Sequence, residues 1–159
     1  MRLQLPLIAA LMVAVGAPAR SQPLTVRLGG TWNLDIAKST LHAPAPQSET
    51  STIKPSTTDT IATLYAITGT DGEGKPINLS FDGKIDGQHY PVKSNGQEVA
   101  KIAWRRSGPR QLTAHEILTN GTTVSATLTL APDGKSFTVR EHVVAKDGAY
   151  DQVELWDKS

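Results

Sequence analysis

The sequence predicts an all-β protein, an antiparallel up-and-down β-barrel of about nine or ten strands. Turn signals recur at a nearly even beat, the runs between them are rich in β-branched and aromatic residues, and no segment after residue 21 shows a helical stripe. The turns are Asp71-Gly72, Asp82-Gly83 with Asp86-Gly87, Asn95-Gly96, Ser107-Gly108-Pro109, Asn120-Gly121, Asp133-Gly134 and Asp147-Gly148. A spacing of roughly 12 residues leaves strands of about eight or nine and no room for a crossover helix, so sequence neighbours pair as hairpins. A meander of that length keeps two exposed edges unless it curls shut. A two-sheet sandwich is the alternative, but it needs longer connections than this beat offers.

The chain opens on "MRLQLPLIAALMVAVGAPARSQ", one basic residue followed by an apolar run and then small residues at the spacing a signal peptidase accepts. Ala17 and Ala19 fit one cut and Ala19 and Ser21 another. The apolar run is shorter than the ~18–20 residues a spanning helix needs, and Pro6 and Gly16 interrupt it. Residues 1–21 are therefore expected as a signal peptide and 22–159 as a single domain of an exported, periplasmic or secreted protein.

Of the 16 basic residues, Arg2 and Arg20 leave with the leader, so 14 face 15 acidic ones. Such a balance creates no field that recruits nucleic acid or an acidic membrane. The absence of cysteine excludes disulfides, thiol chemistry and cysteine-ligated metals. The remaining 138 of 159 residues are enough to bury a core without staples.

The first predicted strand is "GTWNLDIAKS", where Trp32, Leu34 and Ile36 alternate with polar neighbours and so share one face. Ser39 to Asp59 breaks the beat with Pro, Ser and Thr, as lids and binding loops do, although Ser51 to Lys54 has the makings of a short strand. Beyond it lie the runs "TIATLYAIT", "INLSF", "EVAKIAW", "RQLTAHEIL", "TTVSATLTL", "FTVREHVVA" and "YDQVELW".

Two catalytic look-alikes fail on chemistry. "GTDGEGKP" has the glycines and lysine of a phosphate loop, but Pro76 stands where a magnesium-binding hydroxyl should open a helix, and Asp71 and Glu73 repel phosphate. "HEILT" lacks the second histidine of a zinc protease, and on a strand positions i and i+4 lie about 13 Å apart. No nucleophile stands with a base, so no enzyme, metal or cofactor is implied. "NLS" at Asn78 and "NGT" at Asn120 match the glycosylation pattern, which arises readily by chance.

Inward polar residues are more informative. A four-residue loop at Pro132 to Lys135 sets Leu128 beside Val139 and Ala126 beside Glu141, so Glu141 faces inward with Phe137, Val139 and Val143. Asn120-Gly121 forms either a two-residue turn that aims His115 inward or a three-residue loop that aims Glu116 inward beside Val124. The second is favoured, since it gathers Leu112, Ala114 and Leu118 with Val124, Leu128 and Leu130. A lone buried Glu141 costs several kcal/mol or takes up a proton, so it needs a strand neighbour, water or a ligand. His115, Ser125 and His142 then form an outward row whose histidines stand about 10 Å apart, too far to share an ion. Lys101, Arg105, Arg106 and Arg110 cluster around Gly108, fitting either an anionic head group or a charged, solubilising hairpin.

Gly30-Thr31-Trp32 on the first strand of an exported meander resembles the Gly-x-Trp signature of the lipocalins and their calycin relatives. With "PAP" and "DGQHYPV", the string "GTWNLDIAKS" resembles a group of uncharacterised secreted bacterial lipocalin-like proteins. The resemblance implies that Trp32 closes one barrel end, that a basic residue of the last strand packs across it, where this chain has no arginine and offers only Lys158 beyond Trp156, and that the segment after Ser39 occupies the position of a lid over the open end. Gly30, Trp32, Leu34 and Ile36 are the expected structural set, and Tyr65, Phe81, Leu128, Phe137, Val139 and Glu141 the expected interior wall. The expected function is binding of a small apolar or amphipathic molecule in the barrel. The alternative is a packed barrel that acts through its loops as an envelope interaction or structural protein. Ligand, partner protein and oligomeric state are not encoded legibly.

Overall fold

The computed structural model of the chain describes residues 22–54 and 63–159. The expected leader, residues 1–21, lies outside them, as do 55–62, which include the end of the Pro/Ser/Thr-rich stretch. A short helix α1 (Leu24–Leu28) precedes ten strands: β1 (Gly30–Leu34), β2 (Ser48–Lys54), β3 (Thr63–Thr70), β4 (Pro76–Gly83), β5 (Tyr90–Ser94), β6 (Gln97–Gly108), β7 (Gln111–Leu118), β8 (Thr123–Leu130), β9 (Ser136–Ala145) and β10 (Gly148–Lys158). They close into one antiparallel barrel, each strand beside its sequence neighbour and β1 joined to β10. This is the predicted architecture, and closure rules out the sandwich. No helix of the described residues is long and apolar enough to cross a membrane.

Period-two patterning builds the wall. Along β8, Val124, Ala126, Leu128 and Leu130 are buried while Ser125 and Thr129 are exposed. The β7–β8 register sets Leu112 opposite Leu128, Ala114 opposite Ala126 and Glu116 opposite Val124. The three-residue loop is the one adopted: Leu118 N donates to Thr122 O at 2.8 Å, and Gly121 takes φ +88°, which a side chain would resist. Ala126 stands opposite Glu141, as the β8–β9 loop length requires.

Two elements carry little sequence signal. β5 is diluted by Pro91 and Lys93 and bulges between Val92 and Lys93. Helix α1 is a single turn that buries Leu24 and Leu28, spaced i and i+4 on one face. It plugs one end of the barrel. The Trp32 indole N–H donates to Leu28 O at 2.8 Å, satisfying a carbonyl that the helix end leaves without a partner.

Trp32 is fully buried at this closed end, edge-on to Phe137 with ring centroids 4.7 Å apart, and Lys158 Nζ lies 4.9 Å from its ring centroid. Gly30 is needed for that crossing: its φ is +129°, and a Cβ there would stand 3.0 Å from Lys158 Cε. Leu34 is buried opposite Trp156, one step along the seam. Ile36 departs from the expected strand, because β1 ends at Leu34 and a turn follows in which Asp35 O accepts from Lys38 N and Ser39 N. It still packs on the core.

The segment after Ser39 is tied to the wall and rim away from Trp32, and no contact places it over the opening among the described residues. Thr40 pairs with Val153, His42 stacks on Tyr150 at 3.8 Å, and Gln47 N donates to Thr70 O at 2.8 Å. Ser51 to Lys54 belongs to a longer strand than expected, since Ser48 to Thr50 also pair with β3.

Candidate ligand cavity

Inside the barrel lies a cavity of about 270 Å³. That is many times the roughly 10–15 Å³ that one water needs. Its wall is mostly aliphatic and aromatic, with contributions from Tyr65, Trp104, Leu128, Phe137, Val139 and Trp156. Among the expected wall residues, Tyr65, Leu128, Phe137, Val139 and Glu141 all line it. Phe81 does not: it is buried against Tyr65, with centroids 4.9 Å apart, and lines a smaller cavity of about 40 Å³ beneath, next to α1. The two strands beside each other at this level, β3 and β4, pair Tyr65 with Phe81, so the rings form a floor.

Glu141 is not alone in facing inward. Glu49, Glu116 and Glu154 line the same cavity. Strand parity places each: Glu49 shares its face of β2 with Ser51 and Ile53, Glu116 its face of β7 with Ala114, and Glu154 its face of β10 with Gln152 and Trp156. Among the described residues that line it there is no lysine, arginine or histidine.

The hydrogen bonds to these carboxylates are few. Gln152 Nε2 donates to Glu141 Oε2 at 2.7 Å and reaches Glu154 Oε1 at 3.4 Å, and Trp156 Nε1 donates to Glu154 Oε2 at 2.9 Å. Among the described residues no side-chain donor serves Glu49 or Glu116.

Burial disfavours the charged form and like charges add to it. Burial, then the Glu141 charge, pushes Glu49 and Glu116 each up to about 7. Burial, then Glu141, pushes Glu154 up to about 8, against the bond from Trp156. Burial raises Glu141 itself, against the bond from Gln152. The Tyr65 hydroxyl is also raised, by burial and then by Glu116. Each glutamate shift favours the neutral carboxyl, so these four groups hold their protons to higher pH than an exposed glutamate does.

The outward row is as expected, with His115 opposite Ser125 and Ser125 opposite His142. His142 Nδ1 lies 2.7 Å from Asp151 Oδ1. His89 Nε2, from the turn before β5, comes within 3.3 Å of His115 Nδ1, a pairing that strand parity does not reveal. Among the described residues no group of three or more ligating side chains is placed to hold a metal ion.

No family model and no curated protein matches the chain. Among solved structures it is similar to a redesigned β-barrel, mFAP1, bound to DFHBI, at 12% identity and a TM-score of 0.49 over 86% of this chain and 98% of that one. It is also similar to a de novo designed fluorescence-activating β-barrel, at 14% identity and a TM-score of 0.45 over 82% of this chain and 93% of that one. Neither match carries a residue role to this cavity.

Proposed function

We propose that this protein is an exported, lipocalin-like binding protein that holds a small apolar or amphipathic molecule inside its barrel and performs no covalent chemistry on it. The observation that carries the reading is the cavity of about 270 Å³ behind a largely apolar and aromatic wall, where a packed barrel acting only through its loops would be solid. Export rests on the leader-like sequence of residues 1–21, and the site of action is then the periplasm or the medium.

The test is uptake of a neutral fluorescent probe, N-phenylnaphthylamine, by the mature chain. Saturable fluorescence enhancement that is lost in Ala126→Phe, a variant that fills the cavity from its wall, supports the reading. No enhancement, together with no co-purifying small molecule in native mass spectrometry of protein from its host, overturns it.

A further inference from the structure

We infer that the molecule this cavity selects is an organic cation, a protonated amine carried on a small apolar body. The inference rests on the binding reading above and adds the ligand's charge and donor chemistry. Four carboxyl groups from four strands, Glu49 on β2, Glu116 on β7, Glu141 on β9 and Glu154 on β10, line one cavity that has no cationic residue among the described residues of its lining. An ionised carboxylate offers acceptors only, and among the described residues only Gln152 and Trp156 donate side-chain hydrogen bonds to these four. An ammonium supplies both missing quantities, positive charge and N–H donors.

The rest of the wall fits the same guest. Tyr65, Trp104 and Trp156 present aromatic surface to the cavity, which attracts a cation through the ring quadrupole while burying its hydrocarbon part. Competing guests fit worse. A fatty acid or phosphate brings a further negative group into a space already lined by four carboxyls. A guest without N–H or O–H groups leaves Glu49 and Glu116, which no side chain among the described residues serves, still without donors. A metal ion needs convergent ligands, and the described residues offer no group of three placed to hold one. The spread of the carboxylates around the wall suits an extended organic cation.

Octylamine, octanol and octanoate share one chain and differ in charge, so competition of each against N-phenylnaphthylamine at pH 7.5 reads the preference directly. Octylamine is expected to bind at least about tenfold more tightly than octanol, the equivalent of one favourable charge contact, with octanoate weakest. Its binding heat should also vary with the ionisation enthalpy of the buffer, because the incoming cation expels protons from the glutamates. Glu116→Gln and Glu154→Gln should each reduce the octylamine preference severalfold while leaving octanol binding equal or improved; two variants on different strands guard against one failing to fold. Octanol or octanoate binding as tightly as octylamine overturns the inference and leaves the cavity reading intact. Failure of all three, with no uptake of N-phenylnaphthylamine, overturns both.

Discussion

Gln152 stands opposite Glu141 across the β9–β10 pair, and its one amide group serves two carboxylates, Glu141 at 2.7 Å and Glu154 at 3.4 Å. Replacing it with leucine keeps the bulk and removes the donors. Leaving a buried polar group without its partner costs about 1–3 kcal/mol, and more when the group is charged. Gln152→Leu is therefore expected to lose stability at pH 8.5 and far less at pH 5, where the carboxyls are protonated. Urea denaturation at both pH values checks it; equal losses at both would mean that the amide does not act through charge.

The wild-type protein should itself be more stable in mild acid than in mild base. Glu49 and Glu116 are raised to about 7 and Glu154 to about 8, above the ordinary 4.5, so between these values the folded state binds protons that the unfolded chain has released. Stability is thus fully present below about 4.5 and is lost as pH rises through 7 to 8. A melting temperature at pH 5.5 higher than at pH 8.5 by about 5 °C or more is expected for a chain of this size. A melting temperature that rises over the same interval contradicts the arrangement.

Glu154→Gln removes a carboxyl raised to about 8 and leaves an oxygen for the Trp156 indole, whose bond to Glu154 is 2.9 Å. The variant should melt higher than wild type at pH 8.5 and about level with it at pH 5. Differential scanning calorimetry at the two pH values decides.

At the closed end, Trp32 and Lys158 should differ sharply in their worth. Trp32 is fully buried between α1 and Phe137, so Trp32→Ala is expected to cost about 3–5 kcal/mol. Lys158 is exposed and covers one face of that ring, so Lys158→Ala is expected to cost about 1 kcal/mol or less. Gly30→Ala should cost more than Lys158→Ala, since its backbone sits at φ +129° and its Cβ would press on the lysine stem. Chemical denaturation of the three variants gives the order.

Much of this architecture is legible in the chain because its information is local. Hairpin loops of fixed length set the register, and burial of Leu112, Ala114 and Leu128 on one side chooses between the two loops possible at Asn120-Gly121. Glu141 follows at once from Ala126, and the same register turns Glu116 inward. What is not legible is cross-barrel convergence. Glu49 stands in a stretch whose composition reads as a loop, and Glu154 has a parity signal, Gln152-Glu154-Trp156, only once the last strand is anchored to β9. Helix α1 is too short for a period to show. The His89–His115 contact joins a turn to a strand that lies beyond β6, and alternation within strands says nothing about it.

The account's central claim is that four inward glutamates share one cavity and set its charge. A carbon-13 NMR titration of the glutamate side-chain carboxyls measures this most directly. The prediction is that Glu49 and Glu116 titrate near 7 and Glu154 near 8, and that all move down when octylamine is added. Four carboxyls titrating together near 4.5, unmoved by octylamine, would mean that they point into bulk water and that the barrel holds no such cavity.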